Sequence, residues 1–105
     1  NVKVVVASAS ETTLPNAYAT KVYGEAMLSM QNDKHKREII FEASRILKSG
    51  GYYGIHELGL YPDNVGDAVK KEIFHDISDA IQVQARPLTV AEWTELLKEA
   101  GFEVL

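Results

Sequence analysis

One stretch limits the fold more than any other. Between Asn32 and Leu58 a helical period gives way, with no long linker, to a strand-like run. Ile39, Ile40, Ala43, Ile46 and Leu47 recur at the spacing of one helix face, and Lys34, Lys36, Arg37, Glu38, Glu42 and Lys48 fill the other. Asn32 or Asp33 can cap the start, and Gly50-Gly51 is expected to end the helix through a left-handed residue. Tyr52 to Leu58 then reads as a buried strand that finishes on a histidine–glutamate pair. A helix feeding straight into a strand is half of a βαβ unit, so an α/β sheet is the first expectation.

The rest of the chain supplies the other half. Val2 to Ser8 is rich in β-branched residues and predicts a strand. Ser8 to Thr20 is small, polar and broken by Pro15, so it predicts a loop. Lys21 to Leu28 predicts a second strand, although Gly24 weakens it and Glu25 to Leu28 equally fit a helix start. Pro62, Asp63 and Asn64 signal a turn. Val69, Ile73, Ile77, Ala80 and Ile81 mark a second helix with Phe74 beside the stripe, and Gln84 to Pro87 break it. Thr89 followed by Glu92 is a capping box for a third helix, whose apolar face is Val90, Trp93, Leu96, Leu97 and Ala100. Gly101 is its natural terminator, and Phe102 to Leu105 predict a fourth strand. The whole reads as one domain over 1–105: α/β, about four mostly parallel strands and three main helices.

Composition narrows the function. A net charge of -4 in 105 residues carries no basic footprint for nucleic acid. No apolar run approaches a membrane span. The chain has no cysteine, which removes disulfides and thiolate metal sites and fits a cytoplasmic setting. It starts at Asn1 beside one apolar run and ends at Leu105 inside another, which suggests a piece of a longer protein.

In open α/β sheets ligands bind outside the carboxyl ends of the strands. That rule directs Ser8 to Glu11, Gly24 to Met27, and His56-Glu57 toward one rim. His56 and Glu57 are adjacent, so regular strand geometry points them to opposite faces. They are either a general base or substrate-orienting pair, or the polar exit of a buried strand. Glu25 is a carboxylate inside an apolar run, so it needs a partner, a ligand or an exposed strand end. His75 and Asp79 are spaced for a helix-surface ion pair or a weak metal pair; no metal site is expected, and a small metal-dependent or hydrolytic enzyme is the least supported reading. Gly50-Gly51 follows a helix and precedes a strand, the reverse of a phosphate cradle, and no G-x-G-x-x-G or Walker A motif is present.

Several stretches together resemble the C-terminal half of class I S-adenosylmethionine-dependent methyltransferases. "VVVASASETTLP" is similar to the third strand and following loop of that family. "VYGEAMLSM" is similar to the fourth strand. "KREIIFEASRILKSGGYYGIHELGL" matches the helix, the Arg-x-Leu-Lys-Pro-Gly-Gly turn and the fifth strand, and "RPLTVAEWTELLKEAGFEVL" the helix and strand after it. The departures are Ser49 for the turn proline, Ser8 where an adenine-contacting aspartate is common, and "NAYATK" where Phe-Asp usually stands. The first strand with its glycine-rich cofactor loop and the second strand have no counterpart.

The resemblance implies methyl transfer from S-adenosylmethionine to a small-molecule acceptor. It places Glu25, His56 and Glu57 on the substrate side of the rim. Ser8, Ser10, Glu11, Tyr23 and Gly24 fall on the cofactor side, and 61–86 becomes a substrate-side helical insertion. Without the first two strands, binding of the cofactor by this chain is expected to be weak or absent. The sheet strands left without neighbours are expected to drive association into a homo-oligomer. A non-catalytic, truncated methyltransferase-like module that self-associates is the rival reading.

Overall fold

The computed structural model describes residues 4–25, 27–61, 63–81 and 86–105, and the side chains of all of these except 79–81. Strand β1 (Ala19–Glu25) leads through a 3-10 turn (Leu28–Met30) into helix α1 (Asp33–Ile46), which returns directly into β2 (Leu47–His56). β1 and β2 are parallel, in register from Lys21↔Tyr52 to Glu25↔His56. This is the βαβ unit expected from the change of period. A second, minimal parallel pair joins β3 (Gly59–Leu60) to β4 (Leu88–Thr89), flanking helix α2 (Asp67–Ile81). Helix α3 (Val90–Glu99) follows β4. The α/β class, with parallel strands and three main helices, is as the sequence indicates.

The helix signals act where they were read. Asn32 caps α1, its Oδ1 accepting from the His35 N–H at 2.8 Å. Thr89 and Glu92 form both halves of the capping box on α3. Gly101, at φ 93°, closes α3: its N–H donates to the Lys98 carbonyl and the Phe102 N–H to the Leu97 carbonyl. That is a Schellman turn, open to glycine at no steric cost.

Gly50-Gly51 behaves differently from expectation. α1 stops at Ile46, with Leu47 already extended. The Ala17 and Tyr18 N–H groups donate to the Arg45 and Ile46 carbonyls, so the loop before β1 satisfies helix-end acceptors without a glycine cap. The glycines instead shape the start of β2. Gly50 sits at φ 79°, and a Cβ at Gly51 would lie 2.9 Å from the carbonyls of both Lys48 and Thr20.

Two expected strands do not form among the described residues. Of Val2–Ser8, residues 2 and 3 lie outside the described residues, and Val4 to Ala7 form no ladder; Ser8 makes only an isolated bridge to Glu11. Phe102 to Leu105 form none either. β-propensity becomes a strand only where a neighbouring strand accepts the ladder, and neither segment has one among the described residues. β1 ends at Glu25 rather than Leu28, because Leu28 is drawn into the 3-10 turn. Ala26, Pro62 and Gln82 to Ala85, with the Asp79, Ala80 and Ile81 side chains, lie outside the described residues.

The core sits on one face of β1–β2. Leu28, Ile39, Ile40, Trp93 and Ala100 form its centre, with Tyr53, Ile55, Leu97 and Phe102 packed against it. Trp93 buries its ring and donates Nε1–H to the Leu58 carbonyl at 3.1 Å. The polar face assigned to α1 needs correction at two positions. Lys36 is wholly buried and Glu42 nearly so, because each finds partners inside. Lys36 Nζ donates to the Gln31 carbonyl at 2.8 Å and to Asp33 Oδ1 at 3.3 Å. Burial lowers its pKa, with Asp33 opposing the shift.

Candidate functional site

Parallel pairing brings the carboxyl ends of β1 and β2 side by side, which makes Glu25 and His56 register partners. His56 Nδ1 lies 3.8 Å from Glu25 Oε1, and both side chains are more than four-fifths exposed. The same period that half-buries Tyr53 and Ile55 turns Tyr23, Glu25, Tyr52 and His56 to the open face of the sheet. Tyr23 lies across Gly54: a Cβ there would come within 2.8 Å of the Tyr23 ring. Tyr23, Gly24, Glu25, Gly54, Ile55 and His56 line an open groove of about 610 Å³. The glycine at position 54 keeps its floor flat.

Glu57 takes the other direction, as strand alternation requires. Its Oε2 accepts from the Met27 and Leu28 N–H groups at 3.2 and 3.1 Å. Its Oε1 accepts from the Ser29 N–H at 2.9 Å and the Ser29 hydroxyl at 3.0 Å. The Ser29 hydroxyl oxygen in turn accepts from the Leu58 N–H at 3.0 Å, and the Ser29 carbonyl from the Arg86 N–H at 2.7 Å. Glu57 therefore joins the end of β2 to the turn that follows β1. The histidine–glutamate pair divides its work: His56 meets solvent and Glu25, while Glu57 fixes the backbone beneath them. Ser29 escaped the sequence reading; its one signal is a hydroxyl inside the apolar run "AMLSM".

The loop residues gather separately. Ser8 Oγ and Ser10 Oγ are 2.8 Å apart, and the Glu11 N–H donates to the Ser8 carbonyl at 3.0 Å. Among the described residues no hydrogen bond or ion pair links this turn to Glu25 or His56. It is held to α1 instead. The Thr12 N–H and hydroxyl donate to Glu42 Oε2 at 2.7 and 2.6 Å, and Arg45 donates to both Glu42 oxygens at 2.7 Å. The Arg45 and Thr12 hydrogen bonds hold the Glu42 carboxyl down at about 2 against the cost of burial.

Among the described residues no group of three or more histidine, aspartate or glutamate side chains could hold a metal ion. No described helix is long and apolar enough to cross a membrane. The rim groove thus presents an exposed carboxylate and imidazole, with the Tyr23 ring lying over Gly54.

No protein-family model matches the chain. It is 32% identical over 81 residues to an uncharacterized protein of Haemophilus influenzae, an alignment spanning 77% of this chain and 30% of that one. A protein of Bacillus halodurans assigned as a methyltransferase superposes with a TM-score of 0.86 at 22% identity, covering 99% of this chain and 46% of that one. A SAM-dependent methyltransferase from Thermotoga maritima gives 0.72 at 23% identity, covering 98% and 47%. The chain thus spans less than half the length of these solved structures and under a third of the curated relative. The arrangement is that of a methyltransferase-like Rossmann sheet.

Proposed function

We propose that the chain supplies the acceptor side of a SAM-dependent methyltransferase acting on a small molecule. The observation that carries this reading is the Glu25–His56 pair, placed by strand register at the carboxyl ends of two parallel strands and open to a groove. S-adenosylmethionine, when bound, supplies an electrophilic methyl group on a cationic sulfur. The chain's residues do the rest. His56 takes the proton released as the acceptor's nucleophilic atom bonds to the methyl carbon and the carbon–sulfur bond breaks. Glu25, one ion-pair distance away, stabilises the imidazolium that results. Tyr23 and Gly24 stand on the cofactor side of the groove, and its flat Gly54 floor orients the acceptor, so that much of the acceleration comes from positioning. Glu57 acts through the backbone it holds. Ser8, Ser10 and Glu11 stand as the adenine-side residues of this reading, and 61–86 as the segment over the acceptor. The cysteine-free composition accords with the cytoplasmic setting it carries.

Amide shift mapping tests it. Millimolar S-adenosylmethionine should move the signals of Ser8 to Glu11 together with those of Tyr23 to Glu25 and Gly54 to His56, with weak, fast-exchanging binding. Shifts confined to other surfaces would overturn the assignment. Calorimetry that gave tight binding would overturn the expectation of a weak site in this chain.

A second reading has its own support: Val4, Val5 and Val6 are 87%, 54% and 98% exposed and make no ladder among the described residues. A module whose role is self-association would keep such residues.

A further inference from the structure

The segment that carries α2 leaves the body and returns to the same place. Its two ends are joined by the pairing of Gly59–Leu60 with Leu88–Thr89. The return is firmly seated. The Arg86 N–H donates to the Ser29 carbonyl at 2.7 Å, Pro87 is fully buried, and the proline confines Arg86 to extended backbone. Ser29 is itself the residue that joins Glu57 and Leu58 to the turn after β1. The Arg86 backbone therefore starts from the same anchor that holds the rim.

The Arg86 side chain reaches in two further directions. Its guanidinium carbon lies 5.0 Å from the centroid of the Phe74 ring on α2, and its Nε lies 3.6 Å from Asp33 Oδ1 at the start of α1. The aspartate is a fixed point, because the same oxygen accepts from the wholly buried Lys36 ammonium at 3.3 Å. The helix is steadied one turn earlier on the same face, where Lys70 pairs with Glu92 of α3 at 3.2 Å. Glu92 is held in turn by the Thr89 N–H at 3.1 Å. A guanidinium suits the place between Phe74 and Asp33 as an ammonium does not. It is flat, so its face covers a ring while its edge meets a carboxylate. In the sequence Arg86 reads only as part of the break after α2. In the structure it touches the rim anchor, α1 and α2 together.

We infer that Arg86 is a positioning residue that sets the direction of α2 against the β1–β2 rim. Its backbone is tied to the anchor beneath Glu57, and its guanidinium holds Phe74 to the start of α1. The inference rests on the reading of 61–86 as the segment over the acceptor, and it names the residue that places that segment. The space between α2 and the rim is then fixed by the fold before an acceptor arrives, and Arg86 acts on the acceptor only through α2.

Residual dipolar couplings of the weakly aligned, isotope-labelled chain read this directly, because they report the direction of each amide in one common frame. In the wild type a single alignment tensor should fit the amides of β1, α1, β2 and α2 together. Arg86→Lys keeps the charge and the Asp33 partner but has no flat face, and Phe74→Leu keeps an apolar side chain but has no ring. In both variants the couplings of β1, α1 and β2 should stay on their tensor while those of α2 depart from it. Phe74→Tyr keeps the ring face and should leave α2 on the wild-type fit. An unchanged far-ultraviolet helix signal separates a turned helix from a melted one; where Phe74→Leu melts α2, Arg86→Lys decides. Wild-type α2 couplings that already miss the common tensor would overturn the inference. So would α2 couplings unchanged in Arg86→Lys, or Phe74→Tyr departing from the fit as Phe74→Leu does. None of these outcomes depends on S-adenosylmethionine, so they leave the shift mapping above to decide the methyltransferase reading separately.

Discussion

Glu57→Gln separates a rim carboxylate that works on a ligand from one that holds the fold. Both carboxylate oxygens of Glu57 accept, and every partner donates: three consecutive backbone N–H groups and one hydroxyl. A glutamine keeps one accepting oxygen. Its amide nitrogen must face two donors at the other position, either the Met27 and Leu28 N–H groups or the Ser29 N–H and hydroxyl, so two charge-assisted hydrogen bonds are lost. Hydrogen bonds to a charged group are worth about 1.5–3 kcal/mol each, and the half-buried site lets water recover part of that. The net cost is therefore about 2–3 kcal/mol, or a fall in Tm of roughly 10 °C or more in a domain of this size. Glu25→Gln is the matched control. That carboxylate is 82% exposed and, among the described residues, pairs with His56 alone, so its loss should change stability by less than about 0.5 kcal/mol. Urea titrations of the two variants, with the slope checked for constancy, measure the difference. If Glu57→Gln and Glu25→Gln unfold at the same midpoint, the anchoring role assigned to Glu57 is refuted.

Three further outcomes follow from buried charge and close backbone. The Glu42 carboxyl is held at about 2, below its ordinary 4.5, so its contribution is complete above about pH 4.5 and disappears as pH falls toward 2. After discounting for the partly exposed Arg45, about 2 kcal/mol should vanish over that window, and Glu42→Gln should flatten the acid limb of stability measured against pH. Lys36 has the opposite sense: burial lowers its pKa, so its charge costs stability at neutral pH and the cost is relieved as pH rises toward 10.5. Lys36→Met should remove that alkaline rise in the urea midpoint, while Lys36→Ala, which leaves a cavity, should cost about 2–3 kcal/mol. Gly51→Ala presses a methyl against two backbone carbonyls and should cost about 1–3 kcal/mol, whereas Gly54→Ala meets only an exposed tyrosine ring. Gly54→Ala should leave the thermal midpoint nearly unchanged and shift the Tyr23 ring signals.

Local signals carried the parts of the fold that local forces decide. The Asn32 cap, the Thr89–Glu92 box and the Gly101 turn each satisfy backbone groups within a few residues, so sequence shows them. The strands are another matter. Val4 to Ala7 and Phe102 to Leu105 have strand composition, yet a strand is a relation between segments, and no composition records whether the partner is present. The buried charges were illegible for a similar reason. Lys36 and Glu42 fall on what looks like the solvated side of α1 until the loops that cover it, through Gln31 and Thr12, are in place. The glycine pair misled because helix ends and strand starts both use glycine. Only the Ala17 and Tyr18 hydrogen bonds show that the helix end was already satisfied.

Strand alternation makes His56 and Glu57 depend on one another without contact. A rim histidine on the last residue of β2 is held in direction only as well as the backbone around it. The next residue, pointing inward, is the nearest place from which that backbone can be tied to β1. A carboxylate there accepts from all four donors with its two oxygens, whereas the single oxygen of a hydroxyl or an amide has lone pairs for two. It takes up the free donors at the start of the 3-10 turn, where negative charge is favoured. The 3.8 Å separation of Glu25 and His56 is then set by Glu57, Ser29 and the β1–β2 register together. Loosening Glu57 should broaden or shift the His56 ring signals along with those of Met27 to Ser29, although the two side chains point apart. Unchanged His56 signals in Glu57→Gln, alongside altered Met27 to Ser29 amides, would show that the turn and the rim are independent.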